Sequence, residues 1–182
     1  MKKQIIAFTF AAVAAFASVS GAQPQRTNYD VFKDVSNQVT RYVNFTVFDN
    51  VAASVENGTV TLTGRVTMPY KKDDLERRVS KVNGVSQIDN KIAVLPVSIF
   101  DDELRFRIAR AIYSNPALQM YANRVNPPIH VIVEHGRVTL EGVVLSNMDR
   151  VVARSIASNF LAFDVKNELK TEAEAKAELE KI

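Results

Sequence analysis

The chain carries one phrase twice. "VENGTVTLTGRV" at 55–66 returns as "VEHGRVTLEGVV" at 133–144, with most positions matched. Each copy is an alternating apolar run, a turn dipeptide and a second alternating run, the pattern of a β-hairpin. An isolated hairpin is marginal in water and needs a partner for its apolar face. A repeated hairpin therefore implies a repeated domain, with helices supplied in each copy to cover the sheet.

The flanking sequence supplies them. In "DVFKDVSNQVTRYV", Val31, Val35, Val39 and Tyr42 recur at helical spacing, with polar residues opposite. Val51, Ala53 and Val55 then alternate, "NG" turns, and Val60, Leu62 and Val66 continue the alternation. After "MPY" the period returns to that of a helix, with Leu75, Val79 and Val82 on one face. "VSQIDNKIAVLPV" is a last strand. The second copy repeats the order. Its first helix carries Leu104, Ile108, Ala111 and Ile112 on one stripe. A longer loop follows, then a hairpin, the helix "DRVVARSIASNF" and the strand "FDVKNELK". Asn90 and Asn167 occupy matching places in the two last strands. The expected organisation is helix, strand, strand, helix, strand, given twice, over 30–97 and 100–170. A helix-forming tail rich in alanine and glutamate completes the chain at 171–182. Gly58, Gly64, Gly84, Gly136 and Gly142 are expected to be structural. Gly64 marks a bulge or a close backbone approach, and Gly84 is placed to end a helix in the left-handed conformation.

Residues 1–22 are expected to be a cleaved secretory signal. Lys2 and Lys3 precede an apolar run from Ile5 to Val19, and Ser20 and Ala22 stand where a signal peptidase would read. The rival reading is an uncleaved N-terminal anchor. With no cysteine, neither a thiol-linked lipid anchor nor a disulfide framework is expected. Losing Lys2 and Lys3 from 23 basic residues leaves 21 against 20 acidic ones. Such a chain has no global field to draw in nucleic acid, so any anionic partner must meet a local patch.

The repeated unit resembles the BON domain, on "GTVTLTGRV" with "VNGVSQIDNKI" in the first copy and on "GRVTLEGVV" with "FDVKNEL" in the second. The second copy departs from the pattern where Leu161, Ala162 and Phe163 replace the "NGV" before the last strand. The resemblance implies an α+β fold: two tandem small domains, each with two helices on one face of a mixed three-stranded sheet. It also implies a periplasmic, non-enzymatic envelope protein that binds phospholipid or envelope partners, with a link to osmotic stress or chaperone-like work.

The residues supply no catalytic set of their own. There is no thiol nucleophile, no G-x-S-x-G and no phosphate-loop motif. Gly58 and Gly64 enclose "TVTLT", which forms strand and does not expose a row of amides. His130 and His135 sit near opposite ends of one short strand and are read as a surface and a turn histidine. Asp73–Asp74 and Asp101–Asp102 are read as opening helices, where the macrodipole favours them. No cofactor, metal, small-molecule substrate or nucleic-acid partner is expected.

The binding candidates lie in the second copy. The face opposite Leu104, Ile108 and Ile112 is expected to show Phe106 and Tyr113, flanked by Arg105, Arg107 and Arg110. Seven arginines against three acids between Leu104 and Ser155 give that region a local positive balance. Such a face suits an anionic phospholipid membrane surface; otherwise its aromatic residues pack against the first copy or the tail. The loop "NPALQMYANRVNPP" brings Leu118, Met120 and Tyr121, either as a plug over the core or as a contact with an envelope protein. The alternative to lipid is a periplasmic chaperone or adaptor that binds unfolded or partner protein.

Overall fold

The computed structural model describes residues 26–124 and 126–180. The expected signal at 1–22 lies outside them.

In the first copy, α1 (Asn28–Thr40) begins at a reciprocal cap. The Thr27 side chain accepts from the Asp30 amide, and the Asp30 carboxylate accepts from the Thr27 amide. Val31, Val35 and Val39 are buried along one stripe. β1 (Asn50–Glu56) and β2 (Thr59–Val66) form the antiparallel hairpin. Asn57 and Gly58 both have positive φ, 49° and 78°, the turn that matches the twist of the strands. His135 and Gly136 repeat it at 52° and 72°. α2 (Pro69–Val79) buries Leu75 and Val79. Its first turn holds no acid, so Asp73 and Asp74 do not open it. Asp74 instead accepts the Tyr42 hydroxyl at 2.7 Å.

The last strand of the first copy is divided. β3 (Gln87–Asn90) and β4 (Ala93–Val94) both pair parallel with β2, and the ladder is broken between them. Asn90 spans the break. Its Oδ1 accepts from the Ile92 amide, and its Nδ2 donates to the Lys72 carbonyl and the Glu76 carboxylate. Ile92 is thereby held in the core.

The second copy contains α3 (Ile99–Ser114), the short α4 (Gln119–Ala122), and the antiparallel strands β5 (Ile129–Glu134) and β6 (Arg137–Val144). α5 (Asn147–Ala157), β7 (Asp164–Thr171) and α6 (Glu172–Leu179) follow. β7 is unbroken and pairs parallel with the whole of β6. Asn167 nevertheless repeats the Asn90 tie, donating to the Arg150 carbonyl and accepting from the Leu169 amide. α6 is fixed by a Thr171–Glu174 capping box and by ion pairs of Glu174 with Arg150 and of Glu178 with Lys170. Those contacts overcome its short length.

The fold is α+β: two tandem units, each a small mixed sheet covered by helices, with a separate core in each. Two glycines are required by close approach. A Cβ on Gly64 would stand 2.2 Å from the Asn50 carbonyl oxygen, and one on Gly142 1.9 Å from that of Pro128. Gly84 has a positive φ, yet it lies beyond the end of α2 and turns the chain over Val31.

Candidate binding surface on the second copy

α3 starts at Ser98, whose hydroxyl accepts from the Asp101 amide. Its buried stripe is wider than the apolar spacing implies, because it includes Asp101 and Arg105. Asp101 does not serve the helix dipole alone. Its carboxylate reaches the β5–β6 turn and accepts from the His135 amide at 2.9 Å and the Gly136 amide at 2.8 Å. Arg105 is 3 % exposed. It donates to the Val133 carbonyl at 3.1 Å and pairs with Asp102 at 3.1 Å. The structure thus removes Arg105 from the outward face: its guanidinium ties α3 to β5 and meets no solvent ligand.

The outward face keeps Phe106, Arg107 and Arg110. Phe106 is 61 % exposed and stacks edge-on against Phe48 of the first copy, centroids 4.7 Å apart. Arg107 lies over the Phe160 ring at 5.5 Å and approaches Glu103 at 3.8 Å. With Ala109 and Tyr113 these residues line an open depression of about 520 Å³. Tyr113 contributes only its flank. Its hydroxyl donates to the Ile129 carbonyl and accepts from the Ile129 amide, and burial pushes its phenol well above the usual range. It clamps the start of β5.

The long loop is a plug. Leu118 and Tyr121 are fully buried in the second core. The Tyr121 hydroxyl donates to Asp149 at 2.7 Å and accepts from the Leu145 amide at 2.8 Å. Met120 alone of the three candidates stays exposed. Leu118 and Tyr121 are unavailable to a partner.

The two copies meet along β5. The Val131 amide donates to the Val47 carbonyl at 2.7 Å. Arg65 bridges Glu134 at 3.4 Å and Glu141 at 3.3 Å, and Asn50 donates to Glu141 at 2.6 Å. His130 points into this joint, against residues 46–49, and is not a surface histidine. Its Nδ1 is buried without a partner, and burial lowers its pKa below 6.5. His135 does occupy the turn and is exposed.

Beside the joint lies an ion pair that the sequence did not announce. Asp49 and Lys71, both buried, are 2.6 Å apart. Burial raises the Asp49 carboxyl. The Lys71 ammonium and donors from Thr67 and Thr46 outweigh it and hold the carboxyl below its usual range. Neither residue falls in a motif, and Lys71 sits at a helical position that reads as solvated. Among the described residues, no group of three or more His, Cys, Asp or Glu is placed to hold a metal, and no helix is long and apolar enough to cross a membrane.

A family model described as BON domain matches residues 33–96 and 101–173. Solved structures similar to the chain include CdsD, a structural protein of the type III secretion system of Chlamydia trachomatis. It is 14 % identical, with a TM-score of 0.28, covering 83 % of this chain and 97 % of that one. The C-terminal domain of CdsD matches at 14 % identity and a TM-score of 0.28, covering 77 % and 96 %. None of the curated proteins compared matches the chain.

Proposed function

Because this chain belongs to the BON domain family, in two tandem copies, we propose that it is a non-enzymatic periplasmic envelope protein that binds anionic phospholipid surfaces through α3. In that setting it would help maintain the envelope, including under osmotic stress. The observation that carries the reading is the exposed row Phe106, Arg107 and Arg110 on one face of a helix whose other face is locked into the core. A half-exposed aromatic ring beside two guanidinium groups fits the head-group layer. The ring tolerates the interface, and each cation near an anionic surface contributes about 1 kcal/mol. Arg107 rests over the Phe160 ring and meets Glu103 only in an exposed pair, which contributes little, so its guanidinium keeps an open side toward solvent.

Co-sedimentation with vesicles tests this. Binding is expected with phosphatidylglycerol and not with phosphatidylcholine vesicles, and it should weaken as salt rises. Arg107→Glu with Arg110→Glu should reduce it by roughly thirtyfold or more. Arg105→Lys should act on stability instead, because that side chain is buried. Equal binding to both vesicle types removes the anionic head-group selectivity; no binding to either removes the lipid reading and leaves the chaperone or adaptor role to be tested with unfolded substrates.

A further inference from the structure

The second copy carries an apolar tip that the first copy lacks. Asp101 holds the His135–Gly136 turn against the start of α3, and the Gly136 carbonyl accepts from the Phe163 amide at 2.9 Å. These bonds bring two distant stretches of chain to one end of the unit. One end of α3 supplies Ile99 and Phe100, 87 % and 59 % exposed; the α5–β7 loop supplies Leu161 and Phe163, 90 % and 82 % exposed. The equivalent bond in the first copy is made by the amide of Ser86 to the carbonyl of Gly58; Asn83, in the place of Leu161, is also polar and exposed, and Val85 between them packs against the first core. The same end of the unit thus carries Tyr29 among polar residues in the first copy and four large exposed apolar residues in the second.

We infer that this tip, Ile99, Phe100, Leu161 and Phe163, inserts into the acyl layer of an anionic bilayer while Arg107 and Arg110 rest on the phosphates above it. The inference rests on the α3 reading and gives that surface its depth. Phe163 lies with one face on Gly136, but the outer faces of all four side chains are open, so they fit a medium that closes around them better than a preformed groove. The cations adjoin the tip, with Glu103 between them on α3 and paired to Arg107. Arg107 covers the ring of Phe160, which adjoins Leu161 in the chain. Ile99 and Phe106 are two helical turns apart on one side of α3. At 1.5 Å per residue, Arg107 and Arg110 lie roughly 12 and 16 Å along the helix from Ile99. A tilted α3 then reaches from the hydrocarbon boundary to the head groups.

The chain contains no tryptophan, so Leu161→Trp gives a single reporter on a side chain that the fold does not use. The protein, as processed on export, would be mixed with phosphatidylglycerol vesicles brominated at different acyl depths. The expected result is a blue-shifted emission quenched by acyl-chain bromine. Leu161→Asn with Phe163→Ser, which gives the tip the first copy's polarity, should weaken vesicle binding roughly a hundredfold with an unchanged circular dichroism spectrum. Vesicle binding with unshifted L161W emission overturns the insertion and leaves the α3 surface standing. Failure of the unmodified protein to bind any vesicle overturns both.

Discussion

At the scale of single residues, the joint turns on His130. Its imidazole is enclosed by the 46–49 segment, with the Asp49 carboxylate near enough to favour the charged form and burial opposing it more strongly. A histidine whose folded pKa is depressed adds stability that is full above its unfolded value, 6.5, and is lost as pH falls below it. The carboxylates Asp30, Asp49 and Glu174 are also depressed, but from ordinary values of 3.8, 3.8 and 4.5, so their losses begin in a more acid range. The windows separate. Between neutrality and about pH 5.5 the thermal midpoint should fall in the unmodified protein, and His130→Gln should flatten that slope. An unchanged slope in the variant would show that His130 keeps its proton equilibrium through folding.

At the scale of elements, the tie between α3 and the β5–β6 turn is the most exacting. Asp101→Ala leaves two amides of the turn, the part-buried one of His135 and the buried one of Gly136, without their acceptor. The expected loss is about 2–4 kcal/mol, read by chemical denaturation, against about 1 kcal/mol or less for the exposed Glu103→Ala. Asp101 also shows what periodicity can and cannot reveal. The hairpins, the helices and their apolar stripes were legible because burial of one face imposes spacing on the chain. Arg105 was not: at the edge of a stripe, a charged side chain is buried or exposed according to whether a distant carbonyl, here Val133, is waiting for it. Leu118 and Tyr121 lay in an irregular loop, where no period distinguishes a plug from a contact. The divided β3–β4 ladder turned on the Asn90 side chain, whose match with Asn167 was visible but whose bonds were not. Of the outward face, the exposure of Arg107 and Arg110 was legible, since nothing in the core calls for them; Phe106 is exposed too but leans on Phe48 of the first copy, a contact that the sequence left as an alternative.

At the scale of the whole molecule, the joint between the copies is made of parts that do not repeat. The second sheet offers His130, Ile132 and Glu141 where the first has Ala52, Ser54 and Thr63. Arg65, which bridges Glu134 and Glu141, has Val143 as its counterpart. The docking is therefore heterologous and specific to one order of copies. It mixes polar and apolar contacts: one backbone bond, the Arg65 bridges to Glu134 and Glu141, the bonds of Asn50 to Glu141 and of Asn126 to the Thr40 carbonyl, and the packing of Val47 and Phe48 against the second core and Phe106. Contacts of this kind hold two units that already have their own cores. Arg65→Glu would place a third carboxylate beside Glu134 and Glu141, replacing attraction by repulsion at a cost of about 1–3 kcal/mol. Because neither core depends on Arg65, helix and strand content should remain, while small-angle scattering shows a larger radius of gyration and unfolding separates into two transitions. Adding Glu141→Arg should restore part of the compact state, and high salt should do so more weakly. A single unfolding transition with unchanged dimensions in R65E would mean that the apolar contacts of Val47 and Phe48 hold the units together without the bridge.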